Sequence, residues 1–560
     1  MQLKGSQIIM ECLLEQKVDT IFGYPGGQIM PLYDALYDYT DRIKHILTSH
    51  EQGATHAADG YARSTGKVGV CFATSGPGAT NTVTGIATAY MDSSPMVVIT
   101  GQVPLNMIGK DSFQEVDIVG ITLPITKHSF FCRTVDELAP NIRNAFRIAS
   151  GGRPGPVLVD VPKDLMVELG EYTPCEPAGA DCCCPPADME AIRTIAKEIN
   201  AAERPVIYAG GGVIIADASE ELTEFAEKTN IPVITTLMSM GSFDRRNPLS
   251  LGMVGMHGQR EANMTVHHSD LVLAVGARFS DRVTGDATRF AKGAKVIHID
   301  IDPAEFGKNV RYDYCAKCDV KSALQALIPL VERSEREAWH ERIASWKKKK
   351  KRKGGGNAAN ALNSDVLFET VNEVMGDDAI ICTDVGQHQM WTAQKWPFRK
   401  PRTFITSGGL GTMGFGLGAA IGAQVGNPDK RVIHISGDGS FRMNLNELAT
   451  VSAQKLPITT IVVKNHTLGM VRQWQKLFFD QRYSATDLPD VIEYDKLASA
   501  FGLTGCLVKD RDSLKKALET AKNSATGTVI ACEIFIDENV APIVPPGEAI
   551  NNQLLTETLV

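Results

Sequence analysis

Residues 431–441 read RVIHISGDGSF, an apolar run that ends in a carboxylate set between two glycines. The run has the unbroken, β-branched character of a buried strand. Gly437 and Gly439 leave the backbone on both sides of Asp438 open to tight turning and to close approach by a bound group. In open parallel sheets, ligands sit outside the carboxyl ends of the strands, so the stretch calls for a polyanion or a metal at that edge. Downstream, ITTIVVKN (458–465) repeats the strand pattern and ends in Asn465. A strand–helix–strand unit thus delivers Asp438 and Asn465 to one edge of one sheet. Both offer hard oxygen donors suited to Mg2+ or Ca2+, and Mg2+ held by few protein oxygens usually takes phosphate oxygens as well. Taken alone, GDG is equally a turn and Asn465 a cap.

The rest of the chain supplies the same kind of frame. Its 560 residues, 43% hydrophobic and 22% charged, have ordinary globular composition and suffice for about three domains. Two connector-like stretches divide them: 170–190, rich in Pro, Gly and Ala, and 345–365, a basic run followed by glycines. The expected blocks are 1–169, 191–344 and 366–535, with a C-terminal tail over 536–560. VGVCFAT, MVVIT and GPVLVDVP in the first block read as buried strands. RPVIYAG, IPVITT, DLVLAVGA and KVIHIDID do so in the second, and AIICTD, RVIHIS, ITTIVVK and TVIACEIFI in the third. Near-continuous Val/Ile runs with helical crossovers predict three doubly wound α/β domains, each a parallel sheet covered on both faces.

Composition excludes several classes. A formal net charge of −8 gives no basic field for nucleic acid, and the run KKKKKRK lacks aromatic interleaving and reads as a solvated linker. No stretch approaches the ~20 unbroken apolar residues of a membrane helix. The start, MQLKGSQIIMECLLEQKVDT, reads as an amphipathic helix and not as a targeting segment. The cysteines are scattered apart from DCCCPP (181–186) and CAKC (315–318). Free thiols are expected in preference to disulfides or zinc, and the cytoplasm is the expected compartment.

GDG followed, one strand–helix–strand unit later, by Asn resembles the motif of the thiamine-diphosphate enzymes of the pyruvate-decarboxylase-like superfamily. The resemblance implies Mg2+ bound by Asp438, Asn465 and the backbone carbonyl of Thr467, although Lys464 stands where many relatives have a second Asn. It implies a cofactor bordered by Gly437, Gly439, Ser440, Leu468, Gly469 and Met470. DVGQHQMW (384–391) is similar to the diphosphate-side loop, with Gly386, Gln387 and His388 as contacts. SGGLGTMGFGLGAAIGA (407–423) places Gly411 and Met413 where relatives hold the pyrimidine and keep the cofactor bent. TSHEQGATHAADGYARSTG (48–66) resembles the surround of the family's catalytic glutamate, here Glu51. A carboxyl in that role must be largely desolvated, which keeps a proton available. A plain helix N-terminal Glu, favoured by the dipole, is the competing reading.

IFGYPGGQIMPLYDAL, ITGQVPLNMIGKDSFQEVDIVGITLPITKHSF, GRPGPVLVDVPKDL, LGMVGMHG, GARFSDRVTG and LGMVRQWQKLFFDQRYSATDL narrow the resemblance to the acetohydroxyacid (acetolactate) synthase large catalytic subunits. That family implies a transferase. Pyruvate loses CO2, and the hydroxyethyl unit passes to a second pyruvate or to 2-ketobutyrate, on the route to valine, leucine and isoleucine. Gly26 and Gly27 then bring backbone near the reacting centre. Phe113 and Gln114 stand where aldehyde-releasing decarboxylases carry proton-donating histidines, and a site poor in acids would leave the transferred unit unprotonated long enough to attack a ketone. Lys163 matches a site lysine, Arg282 the residue that binds the acceptor carboxylate, and Trp474 the one that favours 2-ketobutyrate. The middle block is similar to an FAD-binding domain. Its matching pieces are Gly210, Gly211, Gly212, Thr236, Leu237, Met238, Met256, His257, Gly258, Gly276, Arg278, Asp281, Arg282, Val283, Asp300, Ile301 and Asp319, with Arg153 from the first block. Relatives generally carry Asp where Ser280 sits. The family further implies a cofactor site shared between two subunits of a dimer or tetramer, and a small regulatory subunit. The rivals are an FAD-dependent pyruvate oxidase of the same fold and a non-catalytic assembly protein with a decayed site.

Overall fold

The computed structural model describes residues 1–177, 187–347 and 360–555. The cysteine cluster at 181–186 and most of the basic run lie outside the described residues. Three six-stranded parallel sheets form the body of the chain. In the first block the spatial order is Lys44–Leu47, Thr20–Gly23, Gly69–Ala73, Met96–Gln102, Pro156–Pro162, His128–Phe131. In the third it is Phe404–Thr406, Ile380–Thr383, Val432–Gly437, Thr459–Lys464, Thr528–Glu533, Thr504–Val508. Numbered within each block, both run 2-1-3-4-6-5, so the two flanking blocks share one topology. The middle sheet runs Ser250–Met253, Val233–Thr235, Pro205–Ala209, Leu271–Val275, Lys295–Asp300, Tyr314–Lys317, which is the 3-2-1-4-5-6 order of dinucleotide-binding folds.

The unbroken apolar runs follow from burial on both faces. Along Met96–Gln102, Met96 and Val98 face one core and Val97 and Ile99 the other. Val462 and Ile461 divide in the same way in the third block. The first of these cores is common to the flanking blocks, because the helices Glu51–Thr65 and Phe415–Gly426 lie against each other between the two sheets. Small residues permit that approach. A Cβ on Gly422 would stand 1.8 Å from the Ala57 carbonyl oxygen, and one on Gly60 2.1 Å from that of Ala419.

Several boundaries differ from those read in the sequence. Leu169–Glu171 is a strand paired antiparallel with Gln2–Lys4, so backbone pairing carries the first block into the stretch read as connector. For the same reason the amino terminus begins as a strand, and its helix is confined to Gly5–Glu15. The helix Glu337–Lys347 runs into the second connector, with Trp339 and Ile343 buried against the middle block. The described part of the tail is docked: Val544 N donates to the Met256 carbonyl at 2.8 Å, and Ile543 and Leu554 pair. Among the described residues no helix is long and apolar enough to cross a membrane, and the described cysteines are free thiols.

Candidate active site

Many of the candidate residues stand at the carboxyl ends of parallel strands, divided among the three sheets. In the third block, strands Ile380–Thr383 and Val432–Gly437 are neighbours at the point where strand order reverses, which is where open α/β sheets bind ligands. A cleft opens there, lined by Gly386, Gln387, His388, Met413, Gly437, Asp438, Gly439, Ser440, Asn465, Thr467, Leu468, Gly469 and Met470. Register sets Gly437 beside Val463, so Asp438 and Asn465 leave adjacent strands together. His466 N donates to Asp438 Oδ2 at 2.8 Å, Gly439 N to Oδ1 at 3.1 Å, and Thr467 N to Asn465 Oδ1 at 3.3 Å.

Three helices begin at this cleft: Gln387–Lys395, Asp438–Asn444 and Gly469–Phe478. Their free N–H groups and dipoles favour an anion. Gly386 holds φ at 151°, a conformation reserved for glycine. A Cβ on Gly469 would stand 2.1 Å from Gln387 Oε1, so backbone occupies space that a side chain could not. Burial pushes the Asp438 carboxyl above the usual range, despite the hydrogen bond from His466 N. Desolvation lowers His388 to about 4, and its buried Nε2 has no hydrogen-bond partner among the described residues. Among the described residues no three His, Cys, Asp or Glu side chains cluster as metal ligands. One carboxylate, one amide and a carbonyl suit Mg2+ only when phosphate oxygens complete its shell. The residues present fit a metal–diphosphate pair.

Asp384 precedes the loop and was not singled out in the sequence, though it opens the stretch DVGQHQMW. It accepts hydrogen bonds from His434 Nε2 at 3.1 Å, Ser436 Oγ at 2.6 Å and Gly416 N at 2.8 Å. Burial alone would raise this carboxyl, but those donors outweigh it and hold the pKa at about 2. It ties the diphosphate-side loop to the strand leading to Asp438 and to the helix that follows Met413. Gly411 is exposed with φ +73° and does not line the cleft. Trp474 is half-buried, edge-on to Phe478 at 5.3 Å.

Glu51 does not line that cleft either. It opens its helix in the first block, is buried, and receives Asn81 Nδ2 on Oε2 at 2.9 Å. A Cβ on Gly78 would come within 3.2 Å of Oε1. Gly26, Gly27 and the Thr74–Gly78 turn follow the strands Thr20–Gly23 and Gly69–Ala73, at the reversal point of the first sheet. Lys163 follows Pro156–Pro162 at the same edge, and the Phe113–Gln114 loop follows Met96–Gln102. Phe113 is 83% exposed, and Gln114 holds φ +60° against Gly76.

In the middle block, Gly210–Gly212 and Gly276 cap the strands Pro205–Ala209 and Leu271–Val275 at the reversal point. Backbone meets backbone there: a Cβ on Gly210 would stand 2.0 Å from the Gly276 oxygen. Thr236, Leu237 and Met238 follow the next strand, and a Cβ on Gly211 would touch Met238. Arg278 lies in the loop after Gly276. A second pocket joins Met256, Asp281, Arg282 and Val283 to the tail residues Val544–Gly547. His257 and Gly258 flank it, His257 depressed to about 4 by burial. The Arg282 side chain is exposed, 3.7 Å from Asp281. Ser280 caps the helix Asp281–Thr284, the task a carboxylate could also perform. Asp300, raised to about 6 by desolvation, ends its strand beside Ile301. Asp319 caps the helix Val320–Leu327. Arg153 reaches across from the first block to Asp302 at 3.1 Å and Glu305 at 2.7 Å. A glycine-lined crevice at the reversal point of a 3-2-1-4-5-6 sheet fits a dinucleotide.

Paired blocks of one topology, with an anion cradle and a hard-metal donor set at the carboxyl edge of the third, define a thiamine pyrophosphate enzyme. Family models for such enzymes match in order: the N-terminal TPP binding domain over 3–121, the central domain over 192–327, and the C-terminal TPP binding domain over 384–532. The chain is 49% identical over 562 residues to the acetolactate synthase large subunit of Parasynechococcus marenigrum, an alignment covering 98% of this chain and 90% of that protein. It is 46% identical to the isozyme 1 large subunit of Escherichia coli, covering 99% and 98%. Against a probable acetolactate synthase large subunit of Methanocaldococcus jannaschii it is 47% identical, covering 98% and 95%. Within the thiamine pyrophosphate enzymes, the chain belongs to the acetolactate synthase large-subunit family.

Proposed function

We propose that this chain condenses two molecules of pyruvate to 2-acetolactate, and pyruvate with 2-ketobutyrate to 2-aceto-2-hydroxybutyrate, releasing CO2 in each case. The observation that carries this reading is the convergence of Asp438 and Asn465 from adjacent strands onto a cleft that three helices enter by their amino ends. Bound there, thiamine diphosphate supplies the electron sink that lets a 2-ketoacid lose CO2. Asp438, Asn465 and the Thr467 carbonyl would hold Mg2+, and the Gly386–His388 loop the diphosphate. Met413 shapes the wall on the pyrimidine side. With Asn81 fixed on Oε2, Glu51 carries and passes its proton at Oε1. Phe113 and Gln114 offer no acid, so the transferred unit is not quenched to an aldehyde. Arg282 offers a fork for the acceptor carboxylate, and Trp474 an apolar surface for the extra methyl of 2-ketobutyrate.

The glycine-lined crevice of the middle block would hold FAD. Glu51 and the diphosphate cleft occupy separate places within one chain, which supports a site completed by a second copy, in a dimer or a pair of dimers. The relatives are named large subunits, which supports a small partner subunit with a regulatory role. Product analysis with pyruvate and 2-ketobutyrate in competition tests the function, with thiamine diphosphate, Mg2+ and FAD omitted in turn. Acetohydroxyacids without any electron acceptor support it. Acetate or acetyl phosphate as the product would replace it with an oxidase.

A further inference from the structure

The loop Ser407–Met413 belongs to the third block, yet its anchors come from the first block of the same chain. Asp92 is fully buried at its side chain. Its Oδ2 accepts Gly408 N at 3.0 Å and its Oδ1 accepts Gly409 N at 2.7 Å. A side chain at Gly409 is excluded, because a Cβ there would stand 2.9 Å from that same Oδ1. Asp92 is itself held by Arg63, whose Nη1 reaches Asp92 Oδ2 at 3.1 Å and the Thr406 carbonyl at 2.7 Å. The other edge of the guanidinium is closed by Asp59, with two bonds of 2.7 Å. Farther along the loop, the hydroxyls of Thr88 and Thr412 meet at 2.8 Å, and Thr412 N donates to Ser407 Oγ at 3.0 Å. Both threonines are buried.

A short glycine-rich loop fixes its own geometry poorly, since glycine backbone has the most conformations to lose. Here two successive amides end on one buried carboxylate that is also bonded to an arginine. That is the strong form of a hydrogen bond, and it is made across a block boundary. The geometry points to Asp92, set by Arg63, as a positioning residue that holds the Ser407–Met413 loop in its cofactor-binding form. It touches neither cofactor nor substrate and acts through the loop. The wall presented by Met413 is therefore built by the first and third blocks of one chain together.

This rests on Met413 bordering the thiamine side of the cofactor, and the test separates the two ideas. Thiamine diphosphate and inorganic pyrophosphate, each with Mg2+, are titrated into the full-length protein and binding is followed by calorimetry. Asp92→Asn keeps the size of the side chain but turns an N–H toward one loop amide and removes the charge that strengthens the bonds from Gly408 N, Gly409 N and Arg63. It should weaken thiamine diphosphate roughly tenfold and leave pyrophosphate, which engages only the diphosphate cleft, unchanged. Thr88→Val, a milder change that removes only the hydroxyl contact to Thr412, should weaken thiamine diphosphate in the same direction and again spare pyrophosphate. Equal loss of both ligands in either variant, or no loss of thiamine diphosphate, overturns the positioning role. Failure of the unaltered protein to bind thiamine diphosphate would instead remove the cofactor assignment itself.

Discussion

Two residues illustrate how single side chains bear on function and on stability. Trp474 is half-buried on the helix Gly469–Phe478, whose first turn lines the cofactor cleft. A methylene in an apolar site is worth about 1–3 kcal/mol. Trp474→Leu should therefore lower the preference for 2-ketobutyrate over pyruvate by roughly tenfold or more, read as the product ratio in competition, with pyruvate turnover largely kept. A ratio that does not move would place the specificity elsewhere. Asp160 is buried in the first sheet, bonded to Thr100 at 2.6 Å and Gln102 at 3.0 Å, and desolvation raises it to about 7. In the unfolded chain the same carboxyl ionises near pH ~4. Between those values the unfolded chain has released a proton that the folded one keeps, so folding stability falls as pH rises and levels off above about 7. The penalty is on the order of a few kcal/mol. Asp160→Asn cannot titrate, so the melting temperature of the unaltered protein should fall relative to that of the variant between pH 5 and pH 8. Parallel curves would contradict the burial argument.

The helices Glu51–Thr65 and Phe415–Gly426 join the flanking blocks, and their contact is set by glycine. Gly422→Ala would drive a methyl into the Ala57 carbonyl, forcing the helices apart at a cost of about 1–3 kcal/mol, to be measured by chemical unfolding. A neutral result would show that the contact is looser than 1.8 Å implies. These helices also show what the sequence reveals. Their small residues were visible, and so was the carboxylate at position 51, but nothing local says that one helix packs on the other across hundreds of residues. Central strands were legible because burial on both faces leaves mostly apolar choices, as in Val157–Val159. Edge strands such as Tyr314–Lys317 and Thr504–Val508 were not, since solvent on one side admits Lys, Thr and Gly. The ligand set Asp438 and Asn465 could be read because each ends a central strand. Asp384 and Asp92 could not, because their meaning lies in partners from other elements: Gly416, His434 and Ser436 for one, Arg63, Gly408 and Gly409 for the other.

At the scale of the molecule, three sheets place their functional loops at carboxyl edges, but one chain leaves the parts of the site separate. Asp438 and its cradle belong to the third block, Glu51 to the first, and Glu51 is not among the residues that line the cleft. Large apolar side chains are exposed in both blocks, among them Phe113, Met107 and Leu123 in the first and Met443 in the third. In the proposed two-fold dimer every contact occurs twice, and each of the two proposed sites would take Glu51 from one chain and Asp438 from the other. Glu51→Gln and Asp438→Ala should each abolish acetolactate formation as homodimers. When the two variants are co-produced with different affinity tags and the hybrid is isolated through both, one site per dimer regains an intact Glu51 and Asp438. The hybrid should then form acetolactate at about half the unaltered rate. A hybrid as inactive as its two parents would contradict the shared site.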